Sequence, residues 1–231
     1  MRTHRIDVGS NLKDKLEECG FFLGHILRVS EIIRIKHLTK DYPLNSELAE
    51  LNYFFSAYLN SIQAVKDTCQ IIMGKSISWE ELSPTYGKFV YYCRNATTHD
   101  GSLMINAGKG LHSYIVGPLR RIDSKGVLKE VSPPPEDVAT LSQNIASEVL
   151  QTAKKVLERK GADTPSPNLA DFAKMVDDAM NNDFIPDFAK RMLSEKRDEV
   201  LSSLSSAKFD YAKGALNAIE SLCKRFRLTI T

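Results

Sequence analysis

Arg94 and His99 stand with four residues between them in the segment Tyr91-Tyr92-Cys93-Arg94-Asn95-Ala96-Thr97-Thr98-His99-Asp100-Gly101. An imidazole, with an unperturbed pKa of about 6.5, populates both protonation states near neutrality, so it can take a proton and return one. A guanidinium keeps its charge at any relevant pH, and its planar fork donates bidentately to phosphate oxygens. A His and an Arg together therefore supply proton transfer and anion stabilisation at a phosphate without a metal. Asn95, directly after the Arg, can orient a ribose, a phosphate or the imidazole. On a regular helix five residues rotate by about 500°, which leaves Arg94 and His99 about 140° apart. Either the Arg reaches around, or the helix loosens near Thr97-Thr98, or the working site combines two copies of the segment.

The charge around this pair is locally basic. From Pro84 to Lys129 the cations Lys88, Arg94, Lys109, Arg120, Arg121, Lys125 and Lys129 face only Asp100 and Asp123, a net +5 within a chain of net +2. The rest is net negative, so a protein whose whole surface coats nucleic acid is excluded, while a local anionic ligand is not. Tyr86, Tyr91, Tyr92, Tyr114 and His112 interleave with these cations and can stack on unpaired bases. Lys88, Tyr91, Tyr92, Lys109, Arg120 and Arg121 are the candidate binding residues.

These residues need a scaffold, and the hydrophobic periodicity predicts a helical one. A first helix over about 10–38 carries Leu12, Leu16, Cys19, Leu23, Ile26 and Ile33; Gly20 and Gly24 inside it either admit a neighbouring backbone or split it, and close packing is favoured. A second runs from Leu44 through Leu48, Leu51, Phe55, Tyr58, Ile62, Val65, Cys69 and Ile72 and ends at Gly74. A third starts at the capping box Ser78-Trp79-Glu80-Glu81, with Pro84 early enough to bend it without ending it, and continues to His99 with Gly101 as its stop. A small hairpin-like insertion is expected at 102–133, from the β-prone pieces at 102–105, 113–116 and 126–131. Ser132-Pro-Pro-Pro-Glu-Asp introduces a fourth helix with Val138, Leu141, Ile145, Val149 and Val156 on one face, ending at Gly161. After the Pro-rich linker at 164–168, helices are expected near 168–181, 184–207 and 209–227. The reading is predominantly all-α, with a bundle domain over 1–162 and a C-terminal helical region over 163–231.

In this setting the segment resembles the R-x4-6-H motif of the HEPN family (higher eukaryotes and prokaryotes nucleotide-binding), whose commonest form places a polar residue, often Asn, directly after the Arg. The order of elements over about residues 10–161, two long helices, a motif helix and a closing helix, is similar to that family's up-and-down four-helix bundle. The resemblance implies a metal-independent endoribonuclease cutting single-stranded or loop RNA. Arg94, Asn95 and His99 would be catalytic: the imidazole would deprotonate the 2′-OH and protonate the leaving 5′-oxygen, and the Arg would stabilise the phosphorane. It further implies a homodimer whose motif helices form a composite site, a role as toxin or antiphage effector, and no cofactor. Members that are inactive imply the alternative, a non-catalytic dimerisation or nucleotide/RNA-binding module. Gly101 stands where toxins paired with a minimal nucleotidyltransferase carry a Tyr two residues after the His, which disfavours that pairing. Asp67 is a possible match to an acidic residue some members place on the second helix, and it stays outside the catalytic set.

Other chemistries are set aside. Ala107-Gly-Lys-Gly110 lacks the phosphate-loop spacing and reads as a turn. Cys19, Cys69, Cys93 and Cys223 form no C-x-x-C pair and fall on apolar positions, so they read as reduced core thiols; no zinc spacing or other metal cluster is present. Neither a secretory signal nor a run of about 20 apolar residues occurs, so a cytoplasmic protein is expected. From Pro134 on, 14 basic residues face 15 acidic ones, a balanced surface suited to packing on the bundle or to a protein inhibitor or regulator.

Overall fold

The computed structural model describes residues 2–42, 44–99, 103–122, 126–160, 168–206 and 211–230. The chain is predominantly helical. The helices are α1 (Arg2–Thr39), α2 (Asn45–Met73), α3 (Trp79–Leu82), α4 (Gly87–His99), α5 (Val138–Lys160), α6 (Leu169–Met180), α7 (Asp187–Glu195), α8 (Arg197–Ser206) and α9 (Tyr211–Phe226). Strands β1 (Ala107–Lys109) and β2 (His112–Tyr114) form one antiparallel hairpin, and β3 (Leu119–Ile122) and β4 (Leu128–Val131) another.

The long apolar stripes make the core. Leu12, Leu16, Leu23, Ile26 and Ile33 of α1 are buried against Leu51, Phe55, Leu59, Ile62 and Val65 of α2, each such burial contributing roughly 1.5–3 kcal/mol relative to exposure. Ion pairs join α1 to α2 at Lys36 with Glu47 (2.6 Å) and at Arg28 with Glu50 (2.6 Å). Partner numbers rise on one helix as they fall on the other, so the two run antiparallel. The same logic orders the rest. Lys66 lies over the Trp79 ring and Asn60 accepts from Thr98, so α4 runs against α2. The Glu81 carbonyl accepts from Thr152, and Asn144 donates to the Tyr86 hydroxyl, so α5 runs against α3 and α4. Tyr58, fully buried, donates its hydroxyl to the Ser142 carbonyl at 2.8 Å and ties α2 to α5.

The expected third helix is two helices. Its capping box forms, with the Glu81 N–H donating to Ser78 Oγ and the Ser78 N–H donating to the Glu81 carboxylate. The helix then ends at Leu82 rather than bending. Ser83, the residue before Pro84, is extended (φ −139°, ψ 93°) because the proline ring crowds the α region of its predecessor. Chain direction is recovered at Gly87, where a Cβ would collide with the Trp79 carbonyl. Glu148 of α5 holds the break by accepting from Ser83 Oγ and from the Thr85 N–H at 3.1 Å.

Two further differences concern the insertion and the C-terminal region. The piece at 103–105 is not a strand: Met104 and Ile105 are buried, and the Ile105 backbone is gripped by the Asn52 side chain, which accepts its N–H at 2.9 Å and donates to its carbonyl at 3.0 Å. The stretch expected as a turn, Ala107–Lys109, is strand β1, with the reversal at Gly110-Leu111. The C-terminal region divides. Helices α6 to α8 pack among themselves around Phe172, Val176 and Leu201, with Arg197 bonded to Asp177 at 3.0 Å, whereas α9 returns to the bundle core through Ala215, Ile219, Leu222 and Phe226. Its seat on α1 is Gly20, where a Cβ would overlap the Leu222 side chain; α1 is unbroken there. Gly101 and Lys125 lie outside the described residues, as does most of the Pro-rich linker.

Candidate functional site on the α4 C-terminal turns

Helix α4 presents three stripes. Phe89, Val90 and Cys93 point into the bundle and are buried. Successive residues turn by about 100°, which places Tyr91, Arg94 and Thr98 on the flank nearest α2 and Lys88, Tyr92, Ala96 and His99 on the flank nearest the insertion. The α2 flank is fixed by Thr98 donating to Asn60 Oδ1 at 3.2 Å and by Tyr91 lying 6.2 Å from the Trp79 ring. The other flank lines a cleft with β3 and the segment before it.

Asn95 falls between the two flanks, on the outward side, yet it is 6% exposed. The Arg94 side chain explains this: its Nη1 donates to Asn95 Oδ1 at 3.1 Å, so the guanidinium folds from the α2 flank across the helix. Asn95 and His99, four apart, are neighbours on one face about 40° apart. Within the single chain the Arg94 guanidinium extends as far as Asn95. The helix remains helical to His99, with Thr97 Oγ1 donating to the Arg94 carbonyl at 3.0 Å.

Electrostatically this turn is unbalanced. Arg94 makes no ion pair among the described residues, and its Nε is buried with no acceptor, a deficit worth roughly 1–3 kcal/mol for a buried donor. His99 is exposed, with no hydrogen bond to its ring from any described residue. Asp67 is exposed on α2 and accepts from Gln63 (2.6 Å) and Gln70 (3.2 Å) rather than from Arg94. Cys93, beside Arg94 in sequence, is no nucleophile: burial pushes its thiol up well above the usual range, and Cys19 and Cys69 are likewise pushed up, each to about 12. Among the described residues no group of three or more His, Cys, Asp or Glu is placed to hold a metal, and no helix is long and apolar enough to cross a membrane.

The candidate binding residues divide. Tyr92, Arg120 and Arg121 come together at the insertion-side cleft, with Arg120 paired to Glu130 at 2.9 Å across the second hairpin. Lys88 is exposed at the start of the same α4 stripe, about 16 Å along the helix axis from His99. Tyr91 is 42% exposed and meets Tyr92 edge-on at 5.3 Å. Lys109 sits at the tip of the first hairpin, the hairpin that packs toward α1 rather than α4. Tyr86 does not offer its ring to a ligand: it is 8% exposed, donates its hydroxyl to Glu136 at 2.7 Å, and burial pushes its phenol up. Sequence reasoning missed Asn52, Asn60 and Glu148, whose roles depend on partners brought close only by folding. The one available signal was Asn52 itself, a polar residue inside the wide apolar stripe of α2.

Comparison with models of known protein families, with curated proteins and with solved structures yields no match. What the fold and the site define together is a helical bundle that presents, from one helix end, an exposed His and an Arg without an ion pair among the described residues.

Proposed function

We propose that this protein is a metal-independent endoribonuclease of the HEPN type, acting on single-stranded or loop RNA. The observation that carries this reading is the Arg94 guanidinium bonded to Asn95 on the helix end that carries His99, with a buried Nε lacking an acceptor and no carboxylate among the described residues paired with it. A cation with no counter-ion among the described residues, on the same helix end as an exposed imidazole, suits a phosphate supplied from outside the chain. In the reaction the ribose 2′-oxygen attacks phosphorus, its proton passes to a neutral His99, the P–O5′ bond breaks, and the 5′-oxygen receives a proton. The products are a 2′,3′-cyclic phosphate and a 5′-hydroxyl. Arg94 stabilises the charge on the phosphorane. Asn95 acts through Arg94 and is a positioning residue. One imidazole cannot stand on both sides of the phosphate at once, so the reading includes a homodimer in which His99 of one copy takes the proton and His99 of the other gives one. A toxin or antiphage effector in the cytoplasm is the biological role that goes with such an activity.

A second reading, a non-catalytic dimerisation or RNA-binding module, is favoured by one feature: within a single chain Arg94 bonds to Asn95 and not to His99. Defined single-stranded and hairpin RNAs incubated with the protein in EDTA separate the two. Cleavage with cyclic-phosphate ends, lost in both Arg94→Ala and His99→Ala while helical circular dichroism and dimer mass persist, is the expected result. Full activity in both variants refutes the assignment, and RNA binding without cleavage in the wild type supports the second reading.

A further inference from the structure

Tyr92 and Ala96, one turn apart on α4, form one wall of a cleft of about 210 Å³ whose other walls are the segment leading into the first hairpin and the start of β3. Its lining is apolar at depth, where Met104, Ile115 and Ala96 are 4–7% exposed. At the mouth, Leu103 (64% exposed) and Val116 (50% exposed) stand in water beside a cleft whose open surface is more polar than apolar. The mouth is held in shape. Asn106 donates to the Val116 carbonyl and accepts its N–H, both at 2.9 Å, a pairing that fixes the rim without closing it. Arg120 and Arg121 line the side toward solvent. Buried apolar side chains at depth, an aromatic wall and a polar edge at which Arg120 is paired to Glu130 together suit a nucleotide: the ring excluded from water, the phosphate outside.

The position of the cleft ties it to the chemistry. Tyr92, Ala96 and His99 follow one another in steps of four and three, so His99 lies on the same stripe of α4, about 4.5 Å along the axis beyond Ala96 and outside the cleft's own lining. A base inserted against Tyr92 and Ala96 would leave its own phosphate at the His99 end. The Asn106 amide is held in place at the rim by its two hydrogen bonds to Val116. Tyr92 offers a face that every base can stack on.

Resting on the ribonuclease reading above, we propose that this cleft takes one unpaired base of the RNA adjoining the scissile phosphate. It holds that base by stacking and apolar contact rather than by reading its hydrogen-bonding edge. The segment before the first hairpin, the connection between the hairpins and β3 thereby add a substrate subsite that the helical bundle alone lacks.

The test uses single-stranded RNA oligonucleotides with a mapped cut and a base or an abasic ribose at each nucleotide flanking it. For the wild type, removing the base at one flank should slow cleavage by at least about fivefold, the lower end of what one base–aromatic stack contributes, whereas removing a base several nucleotides away should not. Val116→Trp, which fills the mouth from its exposed rim, should bring the base-to-abasic rate ratio close to one. Tyr92→Ala should do the same and Tyr92→Phe should restore the ratio; this pair decides the matter if Val116→Trp loses its helical circular dichroism. Equal rates on base-bearing and abasic substrates, or a folded Val116→Trp with the full ratio, overturn the subsite and leave the ribonuclease reading intact. No cleavage of any RNA by the wild type overturns that reading, and the subsite with it.

Discussion

The two ends of α4 differ in how completely they are satisfied. At the N-terminal end Gly87 fits against the Trp79 carbonyl, Glu148 takes the hydroxyl of Ser83 and the N–H of Thr85, and the Tyr86 hydroxyl is bonded on both sides, to Glu136 and Asn144. At the C-terminal end, within 13 residues, Arg94 carries a buried Nε without an acceptor and His99 is exposed without a partner among the described residues. At the N-terminal end Glu136 Oε2 is the buried atom left without a partner among the described residues, and an end bonded to this degree serves the fold. An end that keeps a charge and a titratable ring unpaired sacrifices a little stability, which selection tolerates where the groups act on something else. Substitutions at the two ends should therefore separate into losses of activity without losses of stability, and the reverse.

The largest effect is expected at the unsatisfied end. His99→Ala should lower RNA cleavage by about 10²–10⁴-fold, the usual contribution of a positioned general acid or base, while the unfolding free energy changes by no more than about 0.5 kcal/mol, as for other exposed positions without structural partners. Arg94→Lys should fail to restore the Arg94→Ala loss, since an ammonium cannot donate to Asn95 and to two phosphate oxygens from one planar fork. Paired cleavage rates and urea unfolding curves measure both. A His99→Ala protein destabilised by several kcal/mol would erase the contrast between the ends.

At the satisfied end the order reverses. Gly87→Ala drives a Cβ into the Trp79 carbonyl, a backbone atom that cannot swing aside, and should destabilise by about 1–3 kcal/mol or more, as overpacking does. Glu148→Ala should follow at about 1–2 kcal/mol, because it strips the acceptor from Ser83, which is 1% exposed, and from the Thr85 N–H. In both, cleavage measured on the folded fraction should remain near wild type, since neither residue lies on the outward face of α4.

The same contrast explains which parts of the molecule were readable from residues alone. Helix α2 was, because its apolar steps run unbroken from Leu44 to Ile72 and Gly74, at φ 67°, ends it in the left-handed conformation glycine favours. The seat of α9 was half readable: Gly20 and Gly24 announced a close approach, but not that the partner is Leu222, some two hundred residues away. The break before α4 was missed because Pro84 can stand in the first turn of a helix as readily as end one, and the deciding carboxylate, Glu148, lies 63 residues beyond Thr85. Strand β1 was missed because Ala107, Gly108 and Lys109 have no strand preference of their own and pair only because the Asn52 amide and Asn106 fix the segment on either side. At the site, the spacing gave the angle between Arg94 and His99. Only folding could reveal that the guanidinium bonds to Asn95, the residue beside it.

The smallest expected effect lies in α3, just before the satisfied end. Glu81 accepts the Ser78 N–H, and this hydrogen bond, with Lys75 and Lys66 nearby, holds its carboxyl below the usual range. A carboxylate whose folded pKa is depressed contributes stability that is fully present above its unfolded pKa and is lost as pH falls through the folded value. Glu81→Gln keeps an amide oxygen for the Ser78 N–H and removes only the charge. It should therefore be slightly less stable than wild type near pH 7, with the gap shrinking below the ordinary carboxylate range of about 4.3. The carboxylate is solvent-exposed, so raising the salt concentration should narrow the gap at pH 7 as well. Urea midpoints of the two proteins across pH 3–7 measure this. A constant gap would mean that the cap works through its hydrogen bonds alone, and that even its charged member belongs to the structural end of the comparison rather than to a titrating one.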